Sequence, residues 1–327
     1  MATKDAAAGI RQSPIAQPQP PAKKRGLAQR IFGNWQVYVF LLPALVYFAV
    51  FHYAPMYGVL IAFKDYTATN GIWGSKWAMP NALAHFEHLF NSYQFVTILK
   101  NTVLLSVENL VIGFPIPIIF ALLLNQIVNQ RAKKFVQTVS YAPFFISTVV
   151  IVAIIFVFTR LDSGIVNNLI SATGNERIQF MGKAGWFRPL YIITEIWQRT
   201  GWDSIIYVAA LISISPELHE AAMADGASKL QRIWHIDIPG IMPTAVVLFI
   251  LRVGQLMRLG FEKAFLMQTT LNLDASEILS TYVYKMGIRQ GQFSFAASAD
   301  LFNSVINLAL LIAVNKICKL LGEEGLW

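Results

Sequence analysis

Residues 220–243 read EAAMADGASKLQRIWHIDIPGIMP, a charged segment between two long apolar runs. Its charged and titratable side chains are Glu220, Asp225, Lys229, Arg232, His235 and Asp237. Ile, Leu, Val, Phe and Ala dominate the sequence on both sides of it. A polar segment between two apolar runs must be solvated by water or bound to a partner. The sequence around it therefore helps to show which of these applies.

The overall composition is that of an integral membrane protein. Of the 327 residues, 55% are hydrophobic and 13% are charged, with a mean hydropathy of +0.51. Soluble domains carry about 25% charged residues. The net charge of +8 is therefore interpreted first as a topology signal, and no nucleic-acid partner is expected. A single cysteine, Cys318, excludes an intrachain disulfide.

Six apolar runs are long enough to cross a bilayer as helices, which predicts an all-α membrane protein. They cover residues 35–63, 98–126, 135–159, 189–213, 243–261 and 293–317. Together they predict one transmembrane domain over 35–317. The first run is too long for the apolar core of a signal peptide. Multi-pass contact with membrane lipid follows from this pattern.

The distribution of basic residues predicts that both termini are cytoplasmic. Residues 1–34 are rich in Ala, Pro, Gln and basic residues, a composition typical of a disordered tail. Short basic turns at 130–135 and 229–232 fall on the same side, as does the predicted C-terminal tail, 318–327. The opposite loops are also basic, although their charges are more widely spread.

Local signals predict two short helices within the charged segment. Ser215 is a good N-cap, and Pro216 fits the first helical position. Gly226 permits a left-handed turn, and a second helix can begin at Ser228. We expect Pro239 to end that helix and the fifth span to start at Pro243.

The segment resembles a known family motif. Glu220-Ala221-Ala222, Gly226, Ile236 and Ile238-Pro239 are spaced as in the EAA loop of permease subunits of bacterial binding-protein-dependent ABC importers. We call residues 214–242 the EAA loop. The stretches NT (101–102), GFPIPIIFALLLN (113–125), YAPFFIS (141–147), LGFEKAFLM (259–267) and TYVYKMGIRQGQFSF (281–295) are similar to the oligosaccharide-importing branch, which includes importers of pectin fragments and alginate.

The resemblance implies a fold, partners and a set of coupling residues. The fold would be the type I importer fold, similar to the maltose permease, in the bacterial inner membrane. The EAA loop would be the coupling helix that docks on an ATPase subunit. The residues carried over for that role are Glu220, Ala221, Ala222, Asp225, Gly226 and Pro239.

The expected partners follow from the same resemblance. They are a homologous second permease subunit in a heterodimer, two ATPase subunits, a periplasmic solute-binding protein and the oligosaccharide. No G-x-x-x-x-G-K-[ST] motif occurs in the chain. We therefore expect no cofactor in this chain, with ATP and Mg bound by the ATPase subunits.

Charged residues inside the spans are costly and suggest function. Glu195, Arg199 and Asp203 are spaced by four, which predicts an ionic ladder on one helical face. The ladder either holds the helix in its bundle or forms a wall of the translocation path. Trp197 and Trp202 flank it and either stack on sugar rings or lie in an interfacial belt.

The fifth span adds Arg252, Gln255, Arg258 and Glu262. Spacing predicts that Arg258 and Glu262 pair, whereas Arg252 and Gln255 have no evident partner. Arginine binds carboxylates in a bidentate way, so these residues favour an acidic saccharide. The alternative is that the basic outer loops contact acidic patches on the binding protein.

No catalytic constellation and no metal site are evident. His85 and His88 are three residues apart but lack a third ligand in the sequence. Two other function classes remain as alternatives. An ion-coupled secondary transporter would carry inverted repeats with paired broken helices, and a membrane enzyme acting on a lipid-linked sugar would carry catalytic carboxylates or histidines. Co-purification with an ATPase would separate the importer from both.

Overall fold

Helices make up nearly all of the described chain, as the composition predicts. The structure is a computed structural model that describes residues 35–258, 260–322 and 325–326. The predicted N-terminal tail, 1–34, lies outside the described residues. The chain divides into two units, one ending at Tyr57 and one beginning at Gly58.

The first unit is helical throughout its described part. Helix α1 covers Trp35–Phe48, with Pro43 inside it. A π-helical turn, Ala49–Tyr53, and a 3-10 segment, Ala54–Phe63, continue the chain. Gln36–Phe63 is long and apolar enough to cross a membrane, which agrees with the predicted first span.

The second unit is a set of helices with one small sheet. Strands β1 (Lys64–Asp65) and β2 (Lys76–Trp77) pair antiparallel. The helices are α2 (Gly71–Gly74), α3 (Ala84–Asn91), α4 (Phe95–Gly113), α5 (Pro115–Asn125), α6 (Gln130–Tyr141), α7 (Thr148–Phe158), α8 (Ile165–Ala172), α9 (Ala184–Ile212), α10 (Pro216–Ala224), α11 (Lys229–Arg232), α12 (Ile238–Val253), α13 (Phe261–Met267), α14 (Leu273–Ser276), α15 (Leu279–Tyr284) and α16 (Phe293–Leu320).

The number of predicted spans is compatible with this architecture. Four helices in the described chain are long and apolar enough to cross a membrane: Gln36–Phe63, Phe95–Asn125, Lys229–Val253 and Phe293–Leu320. Two bent pairs raise the number to as many as six. The last helix runs to Leu320, three residues beyond the predicted end of the sixth span.

The third span is not the continuous helix that the apolar run predicted. The chain bends by 97° between Gln130–Phe145 and Thr148–Phe158. Pro143 lies in the 3-10 turn before the bend, and Ser147 caps the next helix by accepting from Val150 N at 3.4 Å. Proline and a new N-cap end one helix and start another, which apolar length alone does not reveal.

The fifth span was also predicted wrongly at both ends. Pro239 does not end a helix, because Lys229–Val253 is continuous. A π-helical turn, Ile233–Asp237, directly precedes Pro239 and accommodates a residue that has no N–H to donate. At the other end the helix stops at Val253 instead of reaching Phe261, and α13 begins separately.

Asparagines on the last helix hold the backbone where the fifth span ends. Asn307 Oδ1 accepts from Met257 N at 3.0 Å, and Asn303 Nδ2 donates to Met257 O at 3.5 Å. Any side chain at Gly254 would overlap Leu311, so α16 packs closely here. These contacts satisfy backbone groups that a broken helix leaves unpaired.

Candidate functional site

A cavity of about 470 Å³ lies between α4, α5, α9 and α12, and we call it the arginine cavity. Its charged and amide-bearing lining residues are Asn109, Glu195, Arg199, Asp203, Arg252, Gln255 and Arg258. Four of the predicted path residues therefore meet on one wall: Arg199, Arg252, Gln255 and Arg258. The remaining three, Trp197, Trp202 and Glu262, lie outside the lining.

The ionic ladder on α9 forms as the spacing predicted. Arg199 Nε lies 3.8 Å from Glu195 Oε1 and 3.5 Å from Asp203 Oδ2. One arginine thus lies between two carboxylates on one face of the helix. Spacing alone, however, did not reveal that each carboxylate also has a second partner from another helix.

Lys263 of α13 is the second partner of Glu195. Its Nζ lies 2.9 Å from Glu195 Oε2 and also donates to Tyr191 O at 3.2 Å. The Lys263 side chain is only 3% exposed. Burial lowers the pKa of the Lys263 ammonium, and the neighbouring Glu195 carboxylate opposes that shift. No sequence pattern predicts this pair, because 68 residues separate its members.

Arg252 is the second partner of Asp203, so the expectation that Arg252 lacks a partner is wrong. Its Nη1 lies 3.8 Å from Asp203 Oδ2, which links α12 to α9. Gly113 at the end of α4 makes room for it. A Cβ there would lie 3.2 Å from Asn109 Oδ1 and 3.6 Å from Arg252 Nη2.

Arg258 is placed differently from the sequence prediction. It follows the end of α12, in the non-helical segment before α13, and its side chain is exposed. Because the helix breaks, Arg258 and Glu262 do not share one helical face, and no ion pair between them is found. Within the described residues Arg258 has no ion-pair partner, so its guanidinium remains available at the cavity wall.

The cavity wall carries an excess of positive charge and unsatisfied polar atoms. Three guanidinium groups face two carboxylates there, which leaves one positive charge uncompensated. Ser106 Oγ and Asn109 Oδ1 are buried and have no hydrogen-bond partner within the described part of the chain. Both residues line the cavity, but these two atoms are themselves buried and not exposed to it.

The two tryptophans beside the ladder lie in different surroundings. Trp202 stacks on Phe144 with ring centroids 4.4 Å apart and planes 2° from parallel. Phe144 also lies beneath the Arg199 guanidinium at 5.9 Å. Trp197 is half exposed. Thus Trp202 packs on the YAPFFIS turn through Phe144.

Other polar residues singled out in the sequence have partners outside the cavity lining. Glu108 on α4 pairs with Arg188 Nη1 at 2.7 Å. His85 Nε2 lies 3.1 Å from Asp65 Oδ1, and the His88 ring packs on Phe295. These contacts hold neighbouring elements together.

The EAA loop folds as its capping residues predicted. Ser215 accepts from Glu217 N and caps α10, whose first residue is Pro216. Gly226 follows with a φ of +78°, a conformation that glycine adopts readily. Ser228 and Gln231 form a capping box that starts α11. A helix, a left-handed turn and a second helix result.

Most of the EAA loop faces outward from the chain. The coupling candidates Glu220, Ala221, Asp225, Gly226 and Pro239 are exposed, and Ala222 is half-buried. Large apolar side chains accompany them: Leu218, Met223, Leu230 and Trp234 are 51–73% exposed. An exposed apolar surface with charged neighbours suits contact with another protein.

The base of the EAA loop contains a buried carboxyl group. Asp237 is fully buried, and its Oδ1 lies 3.3 Å from His219 Nε2 on α10. Its Oδ2 accepts from Gln126 Nε2, at the end of α5, at 3.5 Å. The sequence shows Asp237 only as one of the charges of the loop, because its burial depends on contacts distant in sequence.

Comparisons with known proteins agree with this architecture. The permease protein YteP of the polygalacturonan/rhamnogalacturonan transport system of Bacillus subtilis (strain 168) is 43% identical over 305 residues, 93% of this chain and 94% of YteP. Protein LplB of the same organism is 43% identical over 291 residues, 89% of this chain and 91% of LplB.

A solved structure is similar over almost the whole chain. One chain of the crystal structure of a bacterial alginate ABC transporter, in complex with alginate pentasaccharide-bound periplasmic protein, matches with a TM-score of 0.83 and 37% identity. The match covers 92% of this chain and 99% of that one. The fold is therefore the type I ABC permease fold that the EAA loop implied.

The family model of the binding-protein-dependent transport system inner membrane component matches residues 113–319. That range contains the EAA loop, both helices that carry the arginines, and the last helix. The chain belongs to the family of inner membrane components of binding-protein-dependent transport systems.

Proposed function

We propose that this chain is the transmembrane subunit of an ATP-driven importer that moves acidic oligosaccharides across the bacterial inner membrane. The single observation that carries the proposal is the arginine cavity, where Arg258 has no ion-pair partner among the described residues. Arginine is the residue best suited to bidentate binding of a carboxylate. Arg252 lies on a candidate span, where an arginine is costly without an anion, water or substrate to face.

The substrate class is inferred from the cavity together with the relatives. Polygalacturonan and alginate, which the names of the similar proteins contain, are both chains of uronic acids with one carboxylate per sugar. Gln255 also lines the cavity with an exposed amide group, which can donate hydrogen bonds to sugar hydroxyl groups and accept them. A volume of about 470 Å³ is within the usual range of ligand sites, about 300–1,000 Å³.

The ion pairs within the arginine cavity limit how tightly a sugar can be bound. Arg199 is balanced by Glu195 and Asp203, and Arg252 shares Asp203. Only part of the positive charge is then offered to substrate, which suits a path that must release its cargo. Each arginine that reaches a carboxylate contributes about 1.5–3 kcal/mol, the range for hydrogen bonds to charged groups.

The partners follow from the EAA loop. Its exposed face would dock on one of two ATPase subunits, which bind ATP and Mg, and a homologous second permease would complete the path as a heterodimer. A loaded periplasmic binding protein would dock at the opposite side. This orientation leaves both termini and the EAA loop in the cytoplasm.

Transport would proceed by alternating access. ATP binding closes the ATPase subunits and moves the EAA loops of the two permeases together. In this chain α12 carries the loop's second helix and Arg252, so motion of the loop displaces the cavity wall. Hydrolysis then returns the path to its starting state.

Purification from membranes that contain all subunits tests the proposal. A tagged chain should bring down an ATPase whose hydrolysis rises when the loaded binding protein is added. Uptake into vesicles should require internal ATP and persist when ion gradients are collapsed. Uptake that depends on an ion gradient, with no ATPase attached, would instead indicate a secondary transporter.

A further inference from the structure

We propose that Asp237 is a positioning residue for energy coupling, which ties the exposed coupling helix α10 to the helices that line the arginine cavity. The inference rests on the proposed function. It assigns a role to a side chain that does not contact substrate or the docking face, because Asp237 is fully buried.

Three elements converge on the Asp237 carboxyl group. Asp237 itself ends the π-helical turn before α12, His219 lies on α10, and Gln126 follows the last residue of α5. The two contacts are 3.3 Å to His219 Nε2 and 3.5 Å to Gln126 Nε2. A carboxyl group has two oxygens, and here each one faces a different helix.

The burial of this group makes the two contacts consequential. A buried carboxyl is costly unless polar partners surround it, and removing one partner of a buried pair is strongly destabilising locally. Asp237 Oδ1 has no well-aligned hydrogen bond within the described chain, so the His219 ring is the partner it has. The position of α10 is therefore coupled to the position of Asp237.

Both helices that Asp237 joins reach the cavity. Phe95–Asn125 is one continuous span, and Ser106, Asn109 and Pro117 on it line the cavity. Lys229–Val253 is another, and it carries Arg252. A displacement of α10 would therefore act on both of these cavity-lining helices through the Asp237 side chain.

The other contacts at the base of the loop are apolar and less directional. Ile214 packs over Gly240, where any side chain would overlap it, and Ile233 and Ile238 pack on the core formed by α5, α9 and α12. Apolar contacts hold the loop against the bundle but permit sliding. A buried polar group is left without a partner when the elements slide, so the Asp237 contacts oppose sliding more than apolar contacts do.

The test uses the complete complex in vesicles and measures sugar imported per ATP hydrolysed. The variants are His219→Ala and Asp237→Asn, with His219→Gln as the conservative variant that retains a side-chain donor. His219 is a quarter exposed at its side chain and lies on a surface helix, so we expect its truncation to disturb the fold less than Asp237→Asn does. His85→Ala, which breaks the other His–Asp contact found among the described residues, at 3.1 Å, is the matched control.

We expect His219→Ala to keep the ATPase attached and active but to import severalfold less sugar per ATP, because Asp237 loses the polar partner that ties it to α10. His219→Gln should recover most of the ratio, and His85→Ala should not change it. An unchanged ratio in His219→Ala, or loss of the ATPase from the complex, would overturn the inference alone. Absence of ATP-driven uptake in the unmodified complex would overturn the proposed function and this inference with it.

Discussion

Arg252 Nη1 lies 3.8 Å from Asp203 Oδ2, and the contact joins α12 to α9 across one wall of the arginine cavity. Asp203 is shared, because Arg199 Nε approaches the same oxygen at 3.5 Å. Replacing Arg252 would therefore leave Asp203 with a partner. This sharing makes Arg252 a residue whose contribution to transport can be measured without exposing an unpaired carboxylate.

Lys263→Met should destabilise the protein strongly. Its ammonium group is almost fully buried against Glu195 at 2.9 Å, and breaking a buried pair from one side costs about 3–5 kcal/mol. Arg199 compensates Glu195 only partly, at 3.8 Å. The melting temperature in detergent is the measurement.

The matched control is Lys285→Met, which removes an ion pair outside the candidate spans whose lysine side chain is 25% exposed. A partly exposed pair contributes less than a buried one, so the melting temperature should fall less than in Lys263→Met. Equal shifts in the two variants would contradict the assignment of Lys263 as a buried structural partner.

Substitutions at Gly226 can distinguish two reasons for a glycine there, namely backbone strain and close approach to a partner. Its φ of +78° is unfavourable for a side chain by about 1–2 kcal/mol, but nothing in the chain lies within 4 Å of a Cβ placed there. Asparagine tolerates this conformation, whereas tryptophan adds bulk as well. We expect Gly226→Trp to insert in the membrane but to lose the attached ATPase.

Gly226→Asn distinguishes the two causes in the same assay. Near-normal ATPase binding in Gly226→Asn would indicate that only φ matters, and loss of binding would indicate close approach of the partner. Normal stimulation of the ATPase by the binding protein in Gly226→Trp would contradict the coupling role of the loop.

Cysteine labelling tests the orientation. In a Cys318→Ser background, single cysteines at the exposed positions 76 and 176 should react with a membrane-impermeant thiol reagent in intact spheroplasts. A cysteine at 229, also exposed, should react only after the cells are opened. The reverse pattern would place the EAA loop outside and remove the basis for docking an ATPase there.

Local sequence signals predicted the features that depend on a few neighbouring residues. The Ser215 cap, the left-handed Gly226 and the Ser228 capping box all formed, since each depends on residues within one turn. The ladder at Arg199 formed for the same reason. Apolar length also located the first, second and last spans, because crossing a bilayer requires a minimum number of residues.

What failed depends on contacts between distant residues. The fifth span ends at Val253 because Asn303 and Asn307 on the last helix bind the Met257 backbone. The apolar run of the fifth span does not predict these contacts. The helix continues through Pro239 because a π-helical turn precedes it, and residue propensities do not predict such a turn. The partners of Glu195 and Asp203 likewise come from α13 and α12, so the sequence identified the charges but not their pairing.

The uptake of a uronic-acid oligomer compared with a neutral oligomer of equal length is the most direct measurement of the central claim. The complete complex in vesicles should import the acidic oligomer preferentially. Arg258→Gln should reduce that uptake by about tenfold, because one hydrogen bond to a charged group is lost, and Arg252→Gln should reduce it less because Arg252 already shares Asp203. Both variants should leave any neutral uptake unchanged. Import of only the neutral oligomer by the unmodified complex, or equal loss of both sugars in Arg258→Gln, would contradict the claim.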